Sequence, residues 1–296
     1  MERKLDNFDI VILILNYNTY RETVECVEMY KLQREISLKF VIVDNNSGNN
    51  SFDFLKQHYL KDDSVDVISS GRNDGYAAGN NYGLTYIKDN YNFSDYIIIS
   101  NNDVVLRGNS SLSNLVKKYE GLDDVACLAP LMYENGKVSS YSDWNLPTIF
   151  NCMLQHSILL SYLSKKFLKK NRTNRVGTYK VDCVPGSLFL IKKELMLNLM
   201  FDENTFLYME ESILAKKIKD LNLKNYISSD LIYDHEHGAT ISKYNNNDKK
   251  YKFLLDSQIY YLKNYVGVRK GYINLLKFTS FIGKLERKLL LKRLNN

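Results

Sequence analysis

The sequence predicts an α/β fold, with a mainly parallel, Rossmann-like sheet flanked by helices and a helical extension at the C-terminal end. Three observations predict it. Over the first hundred residues, apolar runs of strand length at 9–15, 39–43, 65–69 and 96–100 alternate with helical patterns. The runs are continuous rather than alternating, as in parallel strands covered on both faces. After a polar break at 245–248, an aromatic-rich helical segment (251–265) precedes Leu, Ile, Phe, Lys and Arg at helical spacing.

In chain order, the first run, Asp9–Leu15, is followed by Thr19 and, three positions later, Glu22, the pattern of a capping box opening a helix toward Tyr30. Ser51 is placed to cap a second helix through Tyr59, and a Gly-rich turn leads into a third from about Ala77 to Asp89. The region 143–179 changes character: it holds the only Trp, a Met/Leu/Ile-rich helix and the basic pairs Lys165-Lys166 and Lys169-Lys170. Strand and helix patterns return over 181–240. We therefore expect one domain over 1–245, in two parts meeting near 142, and a basic amphipathic helical region over 246–296.

With 296 residues, 45% hydrophobic and 25% charged, the chain has the composition of an ordinary soluble globular protein. Four cysteines without CxxC or zinc-like spacing are expected to be reduced and buried, which fits the cytoplasm. The short apolar run near the N-terminus does not read as a signal peptide. No run approaches the roughly 18 apolar residues of a membrane span; Asn151, Gln155 and His156 interrupt the nearest, 149–163. The net charge of +6 is concentrated beyond Leu275, where basic residues face only Glu286. A basic tail mixed with Leu, Ile and Phe points to anionic lipid at a peripheral membrane contact rather than to nucleic acid. A helix packed on the domain with a solvated basic face explains it equally well.

Polar residues gather after the strand ends: Asn16 and Asn18 after the first, Asp44 after the second, Asn101-Asn102-Asp103 after the fourth. This is the edge at which open α/β sheets bind ligands. A strand-end Asp44 can accept from a pyrimidine N–H or serve as a turn residue. The segment from Asn73 to Gly83 can admit a diphosphate to the backbone or simply pack a helix closely on the sheet. Asn101-Asn102-Asp103 offers oxygen donors suited to Mg²⁺ or Mn²⁺, or a hydrogen-bonded turn. There is no G-x-G-x-x-G after a strand, no P-loop and no G-x-S-x-G, so the corresponding nucleotide and hydrolase sites are unsupported.

In this order the segments resemble family-two glycosyltransferases of the GT-A fold, particularly their bacterial rhamnosyltransferase-like branch. Asn16-Tyr17-Asn18 stands at the family's first strand end, and Asn73, Gly75, Tyr76, Ala77, Gly79, Asn81 and Gly83 match N-x-G-[FY]-A-x-G-x-N-x-G. Asn101-Asn102-Asp103 matches the N-N-D form of the metal motif. The likeness continues through Pro185-Gly186-Ser187, Phe201-Asp202-Glu203 and Glu210-Glu211 to His235-Glu236-His237-Gly238-Ala239-Thr240.

The resemblance implies that Asn16, Asn18, Asp44, Asn73, Gly75, Tyr76, Gly79, Asn81, Asn102 and Gly186 bind a nucleotide sugar. It places a Mg²⁺ or Mn²⁺ ion on Asp103 and His235, with Asn101 beside them. Glu211 would be the base that deprotonates the acceptor, and adjacent Glu210 would raise the pKa of the more buried carboxylate. An acidic helix start accounts for that pair locally as well. The implied reaction is inverting, non-processive transfer from a UDP- or dTDP-sugar, dTDP-rhamnose being the first to try. The implied acceptor is a lipid-linked saccharide in bacterial capsule or cell-wall polysaccharide synthesis, at the inner face of the plasma membrane. The family's E-[DE]-x-D-L-x-x-R departs here to Ile213 and Lys217. That departure keeps open a degenerate protein that only binds a sugar nucleotide or a partner transferase. A nucleotidyltransferase lacks its G-x-G-T-R loop.

Overall fold

The computed structural model describes residues 9–92, 94–167, 175–235 and 247–294. The first half follows the expected alternation: β1 (Ile10–Asn16), α1 (Tyr20–Lys31), β2 (Leu38–Asp44), α2 (Ser51–His58), β3 (Val65–Ser69), α3 (Tyr76–Asn90) and β4 (Tyr96–Ser100). Next come β5 (Val104–Leu106), α4 (Ser111–Glu120), β6 (Val125–Glu134), β7 (Lys137–Val138), α5 (Ile149–His156) and α6 (Ile158–Phe167). The chain continues with β8 (Thr178–Val181), β9 (Leu188–Lys192), α7 (Lys193–Leu199), α8 (Glu210–Asp220) and β10 (Lys224–His235), then α9 (Asn247–Asn264) and α10 (Lys270–Leu294).

The strands form one sheet in the order β3-β2-β1-β4-β9-β6-β10-β5. The block β3-β2-β1-β4 is wholly parallel, with Asn16 opposite Asp44 and Ile14 opposite Ser100. The other half is mixed, because β9 runs antiparallel to both β4 and β6, and β5 and β8 run antiparallel to β10. Only β6 and β10 pair in parallel there. The continuous apolar runs of β1 and β2 have the physical cause expected of them. Ile10, Ile12 and Ile14 pack toward α1, α2 and α4, while Val11 and Leu13 pack toward α3, α7 and α8. A third core gathers Cys152 and Met153 of α5, Ile213 of α8, Tyr261 and Leu262 of α9, and Ile273 and Leu276 of α10.

Two local expectations are corrected. Thr19 occupies the N-cap position of α1, but its side chain caps nothing; the hydroxyl instead receives Asn102 Nδ2 at 2.7 Å. Ser51 is the first helical residue of α2, and the cap is Asn50 in the left-handed region. No helix among the described residues is long and apolar enough to cross a membrane. All four cysteines are buried and free.

Candidate active site

Parallel pairing brings the C-terminal ends of β1, β2 and β4 to one edge, and the polar residues that follow them interlock. Asn16 is fully buried; its amide donates to Asp44 Oδ2 at 2.7 Å and its carbonyl oxygen accepts from Thr23 at 2.8 Å. Asp44 Oδ1 accepts the Ser47 N–H at 2.9 Å, and Ser47 Oγ accepts the Asn18 N–H at 2.8 Å. Asn18 Oδ1 in turn accepts the Gly48 N–H at 2.9 Å. The Asp44 carboxylate is thus turned inward, 1% exposed, and shapes the 44–49 loop. Asn45, which sequence reasoning passed over, donates to Asn73 Oδ1 at 3.1 Å and to the Gly75 carbonyl at 3.2 Å, tying this loop to the start of α3. Its position directly after the strand-end Asp was the available signal.

Gly75 has φ +99°, and a Cβ there would stand 2.1 Å from the Phe206 carbonyl oxygen. Only glycine lets the Asn73–Tyr76 turn lie against the Phe201–Met209 loop. Gly79 packs against Leu15 and Asn45. Asn81 is a buried strut: its amide donates to the Phe201 carbonyl at 3.0 Å and to Glu203 at 2.8 Å, and its oxygen accepts the Phe201 N–H. Asn102 is likewise internal, donating to the hydroxyls of Thr19 and Thr23 and latching the end of β4 to α1. Asn16, Asn81 and Asn102 were expected to touch a ligand. Their amides are spent instead on the framework around one, since a buried amide must find partners inside the protein.

Asn101 and Asp103 follow β4, and β10 ends on His235 beside them. His235 Nε2 lies 3.0 Å from Asp103 Oδ1 and 3.4 Å from Asn101 Nδ2. One carboxylate oxygen and one imidazole nitrogen form a donor set that a divalent cation accepts. Two ligands about 2.1 Å from an octahedral ion on neighbouring corners stand about 3.0 Å apart, so the spacing fits as well. No group of three or more His, Cys, Asp and Glu side chains suited to a metal occurs among the described residues. His237, Gly238 and Thr240 lie outside the described residues.

The remaining carboxylates sit at the start of α8. The preceding Tyr208 and Met209 both have positive φ, +74° and +75°, a conformation that β-carbon-bearing residues rarely adopt in succession. This turn delivers Glu210 and Glu211 to the helix N-terminus. Glu210 is 3% exposed and its Oε1 has no hydrogen-bond partner. Burial, reinforced by the charge of Glu211, holds its carboxyl well above the usual glutamate range. Burial also raises Glu211, opposed by its own backbone N–H and that of Gly186. Glu211 borders a small cavity under α8 with apolar walls from Phe189, Leu214 and Ile218. Gly186 is pressed against it: a Cβ there would stand 2.6 Å from Glu211 Oε1. Tyr76 Oη donates to the Gly186 carbonyl at 2.8 Å, so the start of α3 meets the start of α8 across this glycine. One residue on, the Ser187 carbonyl accepts the Asn101 N–H at 2.9 Å. Pro185–Ser187 is therefore the bridge between the Asp103–His235 pair and the glutamates. Trp144 Nε1 donates to Ser212 Oγ at 3.2 Å, which ties the only tryptophan to the residue after Glu211; lying outside the matched motifs, it gave no sign of this.

The two departures from the acidic motif have physical replacements. Ile213 is fully buried in the core shared with α5, α9 and α10. Lys217 donates to the carbonyls of Leu199 and Met200, each at 3.1 Å, and steadies the turn after α7.

Residues 11–198 match the model for glycosyl transferase family 2. Among curated proteins, the glycosyltransferase GlyG of Streptococcus pneumoniae is 28% identical over 100 residues, 34% of this chain and 32% of that one. The low-salt glycan biosynthesis hexosyltransferase Agl10 of Haloferax volcanii is 32% identical over 94 residues, 31% and 27% of the two chains. The aligned part thus spans about a third or less of either relative. Among solved structures, the mannosyltransferase PcManGT of Pyrobaculum calidifontis, bound to GDP-Man and Mn²⁺, superposes with a TM-score of 0.59 at 13% identity, over 93% of this chain and 70% of that one. GalNAc-T7 with UDP, GalNAc and Mn²⁺ gives 0.55 at 17% identity, over 79% and 45%. Residues 1–349 of S. aureus TarS with UDP give 0.54 at 13% identity, over 90% and 69%. These likenesses show a shared GT-A architecture, and with a family model matched over more than half its length, the chain belongs to glycosyl transferase family 2.

Proposed function

We propose that this protein is a metal-dependent, inverting glycosyltransferase that adds single sugars from a UDP- or dTDP-sugar to a lipid-linked saccharide. The observation that carries the reading is the bridge at Pro185–Ser187. One backbone turn joins a metal-suited Asp–His pair to two buried carboxylates, which are the separate parts such a transfer needs. In this reading residues 1–142 hold the donor, 143–245 the acceptor and base, and 246–296 an accessory helical region.

The Asn73–Gly79 segment and the 44–49 loop hold the nucleotide, with Asp44, Asn16 and Asn18 fixing the loop that frames the base. Asp103 and His235, with Asn101 beside them, would hold a Mg²⁺ or Mn²⁺ ion, which when bound would offer positive charge to the leaving diphosphate. Glu211, the less buried of the glutamates, takes the proton of the acceptor hydroxyl as that oxygen attacks the anomeric carbon from the face opposite the leaving group. Burial and the neighbouring Glu211 charge favour the proton on Glu210, so that the pair avoids two adjacent negative charges. Trp144, tethered to Ser212, offers the acceptor sugar an apolar face.

The bacterial surface-polysaccharide setting, with dTDP-rhamnose as first donor to try, rests on the motif resemblance. A thermal-shift screen of UDP-, dTDP- and GDP-sugars with and without Mn²⁺ tests the donor half. The expected result is a shift with UDP or dTDP donors that requires the ion. Stabilisation by GDP donors alone, or by none, overturns it.

A further inference from the structure

Helix α10 carries two apolar faces, and only one of them is used by the fold. Successive helical residues turn by about 100°. On that wheel Ile273, Leu276, Ser280 and Gly283 form the buried side; Gly283 passes so close to α5 that a Cβ would stand 1.6 Å from the His156 carbonyl oxygen. Leu275, Phe278, Phe281, Leu285 and Leu289 fall on the opposite side, within an arc of about 120°. All five are exposed, Phe278 by 59% and Phe281 by 57%. A stripe of this size is far more than the scattered apolar residues of an ordinary surface. The exposed Lys270, Lys277, Lys284 and Lys288 line up along one flank of it. On the other flank Glu286, the only acid between 270 and 294, is turned onto Ser157 and the Ile158 N–H. Next to that anchor, α6 exposes Leu159 and Tyr162.

We propose that this stripe and its lysine row form a docking surface for an anionic bilayer, with α10 lying in the plane of the interface. An amphipathic helix with aromatic and Leu residues outward and lysines along one edge inserts its apolar side to the acyl boundary while the ammonium groups meet headgroup phosphates. A second copy of the chain fits less well. A two-fold contact through this stripe would bring together segments with seven basic residues and one acid each, leaving like charges without counter-charges. Ile273 and Leu276, on the opposite face of α10, share a core with Cys152 and Met153 of α5 and Ile213 of α8, so the surface belongs to the same packed body as the helix that carries Glu211. The inference rests on the proposed function and deepens it by bringing the protein to a bilayer that would carry a lipid-linked acceptor. Its test reads binding rather than transfer, so either can fail alone.

The test is flotation of the 296-residue chain with phosphatidylcholine vesicles, with and without phosphatidylglycerol. Binding is expected only with the anionic lipid, and weaker at high salt. The triple variant F278S/F281S/L285S should lose it while keeping its melting temperature and its donor-dependent thermal shift. The variant K277Q/K284Q/K288Q should bind about 100-fold more weakly. Should the serine variant not fold, Phe278→Trp substitutes: its emission should shift to the blue with anionic vesicles. No binding, binding unchanged in the serine variant, no emission shift, or a wild-type dimer that the serine variant turns into a monomer would each overturn the proposal.

Discussion

The strand edge and the start of α8 both present carboxylates, yet they are built in opposite ways. At the edge Asp44 accepts from Asn16 and Ser47, and Asp103 stands 3.0 Å from His235 Nε2. At α8, Glu210 is buried with one oxygen unsatisfied, while Glu211 has, among the described residues, only backbone N–H donors, its own and that of Gly186, and borders a small cavity with apolar walls. Donors fix a carboxylate's position and favour its charge, whereas burial without donors favours its proton. In the proposed reading the edge holds a shape and a cation, and the helix start exchanges a proton.

If that contrast is right, the two ends should fail differently. Glu211→Gln should lower kcat by about 10²–10⁴-fold, and leave the Mn²⁺-dependent stabilisation by donor intact. Asp103→Ala should abolish that stabilisation as well as turnover. Parallel kinetics and thermal shifts check both; equal loss of donor stabilisation in the two variants would erase the distinction. The packing beneath the glutamates is the next largest effect. Ile213→Ala opens a cavity between α8 and the C-terminal helices and should destabilise by about 2–5 kcal/mol, measured by urea unfolding. An effect under 1 kcal/mol, about that of an exposed site, would show that α9 and α10 are not fastened to α8 there.

These regions were not equally legible in the sequence. Continuous apolar runs announced β1 to β4, because a strand covered on both faces has no polar side to show. The ordered motifs singled out Asn73–Gly83, Asp103 and Glu211 as candidates. The division of labour among the asparagines was hidden, since Asn16, Asn81 and Asn102 look like ligand contacts until their partners Asp44, Phe201 and Thr19 are seen. The antiparallel insertion of β9 between β4 and β6 was also hidden, because strand order depends on contacts distant in the chain. Ile213 looked like damage to an acidic motif; its meaning lies in Tyr261 and Leu276, which only folding brings near.

Gly186 is where the two regions touch, and a methyl group there tests the contact. Gly186→Ala should push Glu211 aside and lower kcat by about 10²-fold, with donor stabilisation retained. Wild-type turnover in this variant would mean that the glutamate sits elsewhere during the reaction.

The smallest effect bears most directly on the proton. Burial and the Glu211 charge raise the Glu210 pKa in the folded state, so the folded protein binds that proton more tightly than the unfolded chain does. Stability from the protonated carboxyl is then present in full below the usual glutamate pKa and is lost as pH rises toward the raised value. Glutamine cannot ionise. Glu210→Gln should therefore match the wild type in acid and become the more stable protein as pH increases, by about 1–3 kcal/mol once the wild-type side chain is a buried, poorly satisfied carboxylate. Melting curves from acid to alkaline buffer check the sign, and a gap that is flat or reversed with pH would sink the argument. Repeating the comparison in a Glu211→Gln background isolates the neighbour. Without that charge Glu210 ionises more easily, so the gain from Glu210→Gln should shrink, and the difference between backgrounds measures the coupling of the two carboxylates.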